Sequence, residues 1–435
     1  MKICVMGLWH LGTVTAACLA ESGHQVVGLD FDGAVINGLQ TGKPPLQEPG
    51  LEDLIRKGLG DQRLYFTTDS ARALEGAEVV WIAYDTPVDD EDRADVDHVR
   101  DRVKRIFPLL RDGMLVLISS QLPVGSTGRL EREFSEAFPG RQVTFAYSPE
   151  NLRLGKAISV FMKPDRVVAG VRTNLDKDRL GMLFRQFTER IEWMSVESAE
   201  MTKHALNAFL ALSVTFANEI AALCEQVGAD AKEVERGLKS EERIGPKAYL
   251  APGTAFAGGT LARDVAFLTQ VGASHGLPSH LLKAVRESND EHRQWVGKKL
   301  RTLLGPLSGQ RVAIWGLTYK PGTDTLRRSL SVELGTWLAG EGVRVVAYDP
   351  AVKKLPDELA GSMTLYDSPL TAASGAAALV VATEWPEFKN VKADDLAAAM
   401  PKPIVIDPNR HLASTLGNDR RIQYVSVGSL LRKGP

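Results

Sequence analysis

"CVMGLWHLGTVTA", residues 4–16, runs from an apolar strand-like segment through Gly7-Leu8-Trp9-His10-Leu11-Gly12 into a helix-compatible one. In a strand–turn–helix corner that holds a dinucleotide, the first glycine permits the tight bend. The second lets the backbone approach the pyrophosphate, and the third lets the helix pack on the strand. Gly7 and Gly12 take the outer positions, while Trp9 stands at the middle one. Asp30 closes "VVGLD", 23 residues beyond Gly7, near the roughly 20 at which an acid reaches the adenosine ribose. Two readings remain open at this point. The turn holds NAD around an altered middle position, or it is a corner that merely needs glycine, with Trp9 packed in the core. An acid at Asp30 favours NAD over NADP, whose 2′-phosphate it would repel.

Outward from this turn, short Val/Ile-rich runs recur: "QVVGLD", "VVWIAY", "MLVLISS" and "VTFAYS", separated by amphipathic stretches. The alternation predicts a parallel sheet with helices on both faces over roughly the first 190 residues. Two further strand ends, "IAYDTP" (82–87) and "ISSQLPVGST" (118–127), place Thr86 and Ser120 where a doubly wound sheet lines its crevice. From about Glu197, "ESAEMTKHALNAFLALSVTFANEIAALCEQVG" predicts one long helix closed by Gly228, with helical character continuing to about residue 300. A second, smaller α/β region then opens with "RVAIWGLTYKPGTDT" and continues through "VRVVAYDP", "AALVVATEW" and "KPIVIDPNR".

Composition narrows the class. The 435 residues carry 52 basic and 54 acidic side chains, a balance that gives no reason to expect a nucleic-acid or anionic-membrane partner. The chain enters a strand pattern at once, leaving no room for a signal peptide, and no apolar run approaches the roughly 20 residues of a membrane span. Three cysteines, Cys4, Cys18 and Cys224, argue against a disulfide framework and for a reducing cytoplasm. No metal site is read.

Taken in order, the N-terminal turn, Thr86-Pro87 and "SPENLRLGKAI" (148–158) resemble the UDP-glucose/GDP-mannose dehydrogenase family. "AEMTKHALNAFLA" (199–211), "RIGPKAYLAPGTAFAGGTLARD" (243–264), "GLTYKPGTDTLRRS" (316–329), "ATEWPEF" (382–388) and "DPNR" (407–410) extend the likeness to the whole chain. The resemblance implies two Rossmann-like parallel-sheet domains joined by a long-helix central domain. They are an NAD-binding domain (1–195), a helical dimerisation domain (196–300) and a nucleotide-sugar-binding domain (301–435). It implies oxidation of a sugar hydroxyl by hydride transfer to NAD, with a UDP-hexose as the default substrate and GDP-mannose as the alternative, in a homodimer formed through the central helix. Gly7, Leu11, Gly12, Asp30, Thr86, Ser120 and Arg327 are then the cofactor-binding residues.

Taking hydride from an alcohol carbon needs a base for the hydroxyl proton and groups that stabilise the developing alkoxide. Lys203 and Asn207, four residues apart, share one helix face. By resemblance they bind the oxygen at the reacting carbon, Asp264 positions a water or takes the proton, and Glu150 lies near that carbon. Leu152, Arg243, Tyr249, Phe256, Gly258, Lys320 and Arg410 are the implied substrate-binding residues. The departures cluster. The family's nucleophilic cysteine, which captures the aldehyde for a second oxidation, is Thr260, also counted here among the catalytic residues. The motif lysine before the aspartate is Arg263, the second glutamate is Leu154, a hydroxyl position is Gln121, and the acid after Arg327 is Arg328. A threonine hydroxyl is far less acidic than a thiol and needs an adjacent base. The expectation is a single two-electron oxidation to an aldehyde or keto product. Two alternatives stand beside it: an epimerase that recycles its NAD, and a catalytically silent nucleotide-sugar-binding homologue.

Overall fold

The computed structural model describes residues 1–87, 89, 94–150, 152–257 and 259–429. The chain divides into two compact units, Met1–Leu206 and Asn207–Pro435.

The first unit is built on an eight-stranded sheet. Its strands are β1 (Lys2–Met6), β2 (Gln25–Leu29), β3 (Leu64–Thr67), β4 (Val79–Ile82), β5 (Leu115–Ile118), β6 (Thr144–Tyr147), β7 (Val167–Gly170) and β8 (Ile191–Met194). Their order in space is β3-β2-β1-β4-β5-β6-β7-β8. Strands buried on both faces read as continuous apolar runs, and β4 "VVWI" and β5 "LVLI" are buried at every position. Ile3, Val5, Trp81 and Leu117 face one apolar layer; Cys4, Met6, Val80, Ile82 and Val116 face the other. Expected strands are all present, and β3, β7 and β8 are additional. The expected parallel sheet is interrupted once, because β6 meets β7 through a single antiparallel pairing, Tyr147 with Gly170. The strand order reverses between β1 and β4, which opens the ligand crevice at their carboxyl ends.

The second unit carries a wholly parallel six-stranded sheet: β9 (Arg311–Trp315), β10 (Arg344–Tyr348), β11 (Thr364–Leu365), β12 (Ala378–Val381), β13 (Ile404–Ile406) and β14 (Gln423–Val425). The order β11-β10-β9-β12-β13-β14 repeats the reversal of the first sheet. Likeness extends to the turns. Asp30 accepts a hydrogen bond from the Leu8 N–H at 2.7 Å, and Asp349 accepts one from the Leu317 N–H at 2.7 Å.

The long helix covers Val196–Val227 and ends where Gly228 adopts φ +79°, a conformation glycine takes without penalty. Contrary to the sequence expectation, this helix is long and apolar enough to cross a membrane by length and composition, with a mean hydropathy of 1.5 over its most apolar 18 residues. Its polar residues have protein partners: Glu200 and His204 bond to main-chain groups in the first unit, and Asn218 to the Gly253 N–H in the second.

Candidate active site

The dinucleotide turn is built by glycine. Gly7 has φ +94°, and a side-chain carbon there would sit 2.7 Å from the Tyr84 ring. At Gly12 such a carbon would lie 1.7 Å from the Gly7 carbonyl oxygen, so the helix His10–Glu21 can start this close to β1 only with glycine. Trp9 does not pack in the core. It is 49% exposed at the position just before the helix and makes no capping bond, which removes the reading of the turn as a tryptophan-filled corner. First-turn N–H groups of a helix have no partner within it and face an incoming phosphate, and Leu11 belongs to that turn. Asp30 also accepts from the Asp32 N–H at 3.1 Å, so its carboxylate is held at the end of β2. The residues fit NAD.

Around this turn, Thr86 donates to the Gln121 carbonyl at 2.7 Å, tying the two predicted strand-end loops together. Ser120 is fully enclosed, and its Oγ has no hydrogen-bond partner. Ser119 carries the polar chain instead, accepting from Trp81 Nε1 at 2.8 Å and donating to the Ser148 carbonyl at 2.6 Å.

Lys203 is buried and donates to the Glu150 carbonyl at 2.7 Å, with its ammonium 3.7 Å from a Glu150 carboxylate oxygen. The Glu150 carboxylate accepts from the Leu152 N–H at 2.7 Å. Two residues that the sequence reading passed over stand on the same helix. The Glu200 carboxylate accepts from the Gly125 and Thr127 N–H groups, at 2.5 and 2.9 Å, capping the helix Ser126–Ala137. Burial pushes its carboxyl above the ordinary range, against the pull of those N–H donors. His204 bonds through Nε2 to the Leu122 carbonyl at 2.8 Å. The available signal was the i, i+3, i+4, i+7 spacing of Glu200, Lys203, His204 and Asn207, a polar stripe on an otherwise apolar helix.

In the second unit, Asn207 donates its side-chain amide to Asp264 Oδ2, and both are buried. The bond fixes the amide orientation and holds the carboxylate as an acceptor, the role a proton-taking or water-positioning group requires. Thr260 is exposed at the first position of the helix Thr260–Ser274, four residues before Asp264. A side-chain carbon on Gly259 would lie 3.7 Å from Arg328 Nη1, so a guanidinium borders the turn that leads into Thr260. Arg328 itself has φ +58°.

The segment before Thr260 is fastened by side-chain amides. Asn218 accepts from the Gly253 N–H at 2.9 Å, Asn409 from the Thr254 N–H at 2.8 Å, and Asn289 from the Phe256 N–H at 2.9 Å. His292 bonds to the Gly253 carbonyl at 2.8 Å, and burial lowers its pKa. Gly258 lies outside the described residues. Arg410, at φ +59°, pairs with Asp230 at 2.9 Å. Burial alone would raise the Asp230 carboxyl, but the Arg410 guanidinium and neighbouring N–H donors hold it below the ordinary range. Arg243 is exposed and paired with Glu241, with Nε 2.9 Å from Oε2. Tyr249 is exposed, Lys320 is partly buried, and Arg327 is exposed with its N–H 3.4 Å from Thr325 Oγ1.

The glycine-built turn, with Asp30 at the end of the second strand of a doubly wound sheet, is that of an NAD-dependent dehydrogenase of the Rossmann type. Within that class, the chain belongs to the UDP-glucose/GDP-mannose dehydrogenase family. The family's NAD binding domain matches residues 1–188, its central domain 197–291 and its UDP binding domain 313–414. A UDP-glucose 6-dehydrogenase of Pseudomonas aeruginosa is 37% identical over 98% of this chain and 97% of its own length. The Bacillus subtilis UDP-glucose 6-dehydrogenase TuaD is 34% identical over 93% of this chain and 88% of its own. Among solved structures, a UDP-glucose dehydrogenase from Pyrobaculum islandicum superposes with a TM-score of 0.88 at 30% identity, covering 98% of both chains. A UDP-D-ManNAc dehydrogenase from Pyrococcus horikoshii follows at 0.84 and 25%, covering 98% of this chain and 99% of that one.

Proposed function

We propose that this dehydrogenase oxidises one hydroxyl of a UDP-hexose by a single two-electron step and releases an aldehyde or keto sugar nucleotide. NAD, when bound, accepts the hydride. The chain's own groups handle the proton and the oxygen. Lys203 and Asn207, one turn apart on the long helix, bind the reacting oxygen, and Asp264, held by Asn207, takes the proton directly or through water. Glu150 contributes its charge beside Lys203. The balance is one C–H and one O–H bond broken, one C=O formed, and one hydride and one proton removed.

The carrying observation is the state of sulfur in the molecule. A covalent second oxidation needs an accessible thiolate, yet Cys4, Cys18 and Cys224 are all free and buried. Burial pushes the Cys4 and Cys18 thiols up to about 12. Thr260 holds the exposed helix-start position where the family carries its nucleophile, and no histidine stands beside it in sequence. The relatives' names and the UDP binding domain support a UDP-hexose. The unpaired cysteines support a reducing, cytoplasmic setting. We also propose a homodimer formed through the long helix, and a functional division at 1–195, 196–300 and 301–435.

The test is stoichiometric. Purified protein, NAD and a panel of nucleotide sugars should yield one NADH per sugar, with the product mass lower by two hydrogens. Thr260→Cys should move the yield toward two. Two NADH per sugar from the unaltered protein would defeat the single-step reading. An altered sugar with no net NADH would identify an epimerase, and binding without turnover a silent homologue.

A further inference from the structure

Glu48 lies in "PPLQEPG", between two short helices, and no part of the mechanism above uses it. Yet it is only 4% exposed, and a buried carboxylate persists only where donors surround it. Three do. His10 Nε2 lies 3.0 Å from Oε2, the Gly155 N–H donates to Oε2 at 2.8 Å, and the Ala157 N–H donates to Oε1 at 2.8 Å. These donors come from two segments far apart in sequence. His10 is the first residue of the helix that begins at the NAD turn. Gly155 lies in the loop that presents Glu150, and Ala157 opens the helix that follows it, Ala157–Met162.

That loop is fastened at both ends. Lys203 holds it at the Glu150 carbonyl, and Glu48 holds it at residues 155 and 157. The Glu48 end is also joined, through the His10 ring, to the cofactor turn. We propose that Glu48 and His10 are positioning residues. Their shared carboxylate keeps the first turn of the NAD helix and the Glu150 loop at a fixed separation, so cofactor and reacting carbon are presented in register. A carboxylate accepting charge-assisted bonds is suited to this, because such bonds are shorter and more directional than neutral ones. His10 therefore acts on NAD binding through Glu48, without touching the reacting atoms.

The NAD half of this inference rests on the family's cofactor domain. The Glu150 half rests on the function proposed above, so the experiment reads binding separately from turnover. NADH affinity is measured by fluorescence titration in the unaltered protein, His10→Phe, His10→Gln and Glu48→Gln. Far-UV circular dichroism and thermal midpoints confirm that each variant is folded. His10→Phe, which removes the donor but keeps a planar ring, should weaken NADH binding about tenfold, the change that accompanies loss of one hydrogen bond to a charged group. His10→Gln, whose side-chain amide can donate to Glu48, should recover most of that loss. Amide exchange at Gly155 and Ala157 should accelerate in Glu48→Gln and, to a smaller degree, in His10→Phe.

If the unaltered protein binds NADH and His10→Phe binds it equally well with unchanged exchange at 155 and 157, the inference is overturned. Should Glu48→Gln not fold, the His10 pair decides alone. Normal binding effects with no turnover on any nucleotide sugar would instead count against the proposed reaction and leave the brace standing.

Discussion

At Gly12 a side-chain carbon has nowhere to go, since the nearest atom is the Gly7 carbonyl oxygen at 1.7 Å. Gly12→Ala should therefore displace the helix from β1, cost about 2–4 kcal/mol in chemical unfolding, and abolish NADH binding by titration. Trp9, in the same turn just before the helix, behaves oppositely. Its ring is half in solvent, and glycine is an accepted residue before a helix. Trp9→Gly should change stability by less than about 1 kcal/mol and should tighten NADH binding, by clearing the backbone's approach to the pyrophosphate; weaker binding would show that the indole contributes a contact. The glycines and Asp30 were legible in the sequence because what fixes them is local: a bend, a close approach, an acid at a strand end. The direction of the Trp9 side chain was not, because either the core or the solvent satisfies an indole. Thr260 was legible as a departure, whereas its exposure and the Arg328 guanidinium near the preceding turn come from residues about 70 positions apart, beyond the reach of local pattern.

Elements carried most of their own signal. The strands found from sequence sit in longer apolar runs bounded by turn residues; β3 "LYFT", β7 "VVAG" and β8 "IEWM" were missed because four residues mixing polar or small side chains show no period. The single antiparallel step from β6 to β7 has no sequence mark. What holds the loops was equally hidden: Glu200 caps a helix 73 residues away, a contact visible only in three dimensions. Replacing it with leucine strands the Gly125 and Thr127 N–H groups and should cost about 2–4 kcal/mol in urea unfolding. His292 makes a prediction about pH. Burial depresses its pKa below the ordinary 6.5, so the folded protein binds fewer protons than the unfolded chain as pH falls through that value. The stability it contributes is complete above about pH 6.5 and is lost on acidification. Urea midpoints between about pH 7 and 5 should fall less in His292→Gln, which keeps a donor for the Gly253 carbonyl but does not titrate; parallel slopes would exclude His292 as the cause.

For the whole molecule, the largest question is what covers the outer face of the long helix. Phe209, Phe216 and Leu223 recur at seven-residue intervals and Val227 follows four residues on, which places them along one stripe. They are 65%, 44%, 61% and 76% exposed, although this face is as apolar as a core. Isolated exposed apolar residues are ordinary, but a continuous stripe of this kind marks an interface. In the homodimer proposed above a second copy of the same helix would cover it, because a heptad stripe is complementary to itself across a two-fold axis. In such a dimer each substitution acts twice. Phe216→Glu introduces two desolvated carboxylates near the axis and removes two aromatic side chains worth about 1.5–3 kcal/mol each. Light scattering after size exclusion should therefore show a dimer for the unaltered protein and a monomer for Phe216→Glu paired with Leu223→Glu. An exposed-face control, Lys283→Glu on the helix His280–Arg293, should leave the dimer intact. If the doubly charged variant elutes as the unaltered protein does, the stripe is not the interface, and its apolar residues need another partner.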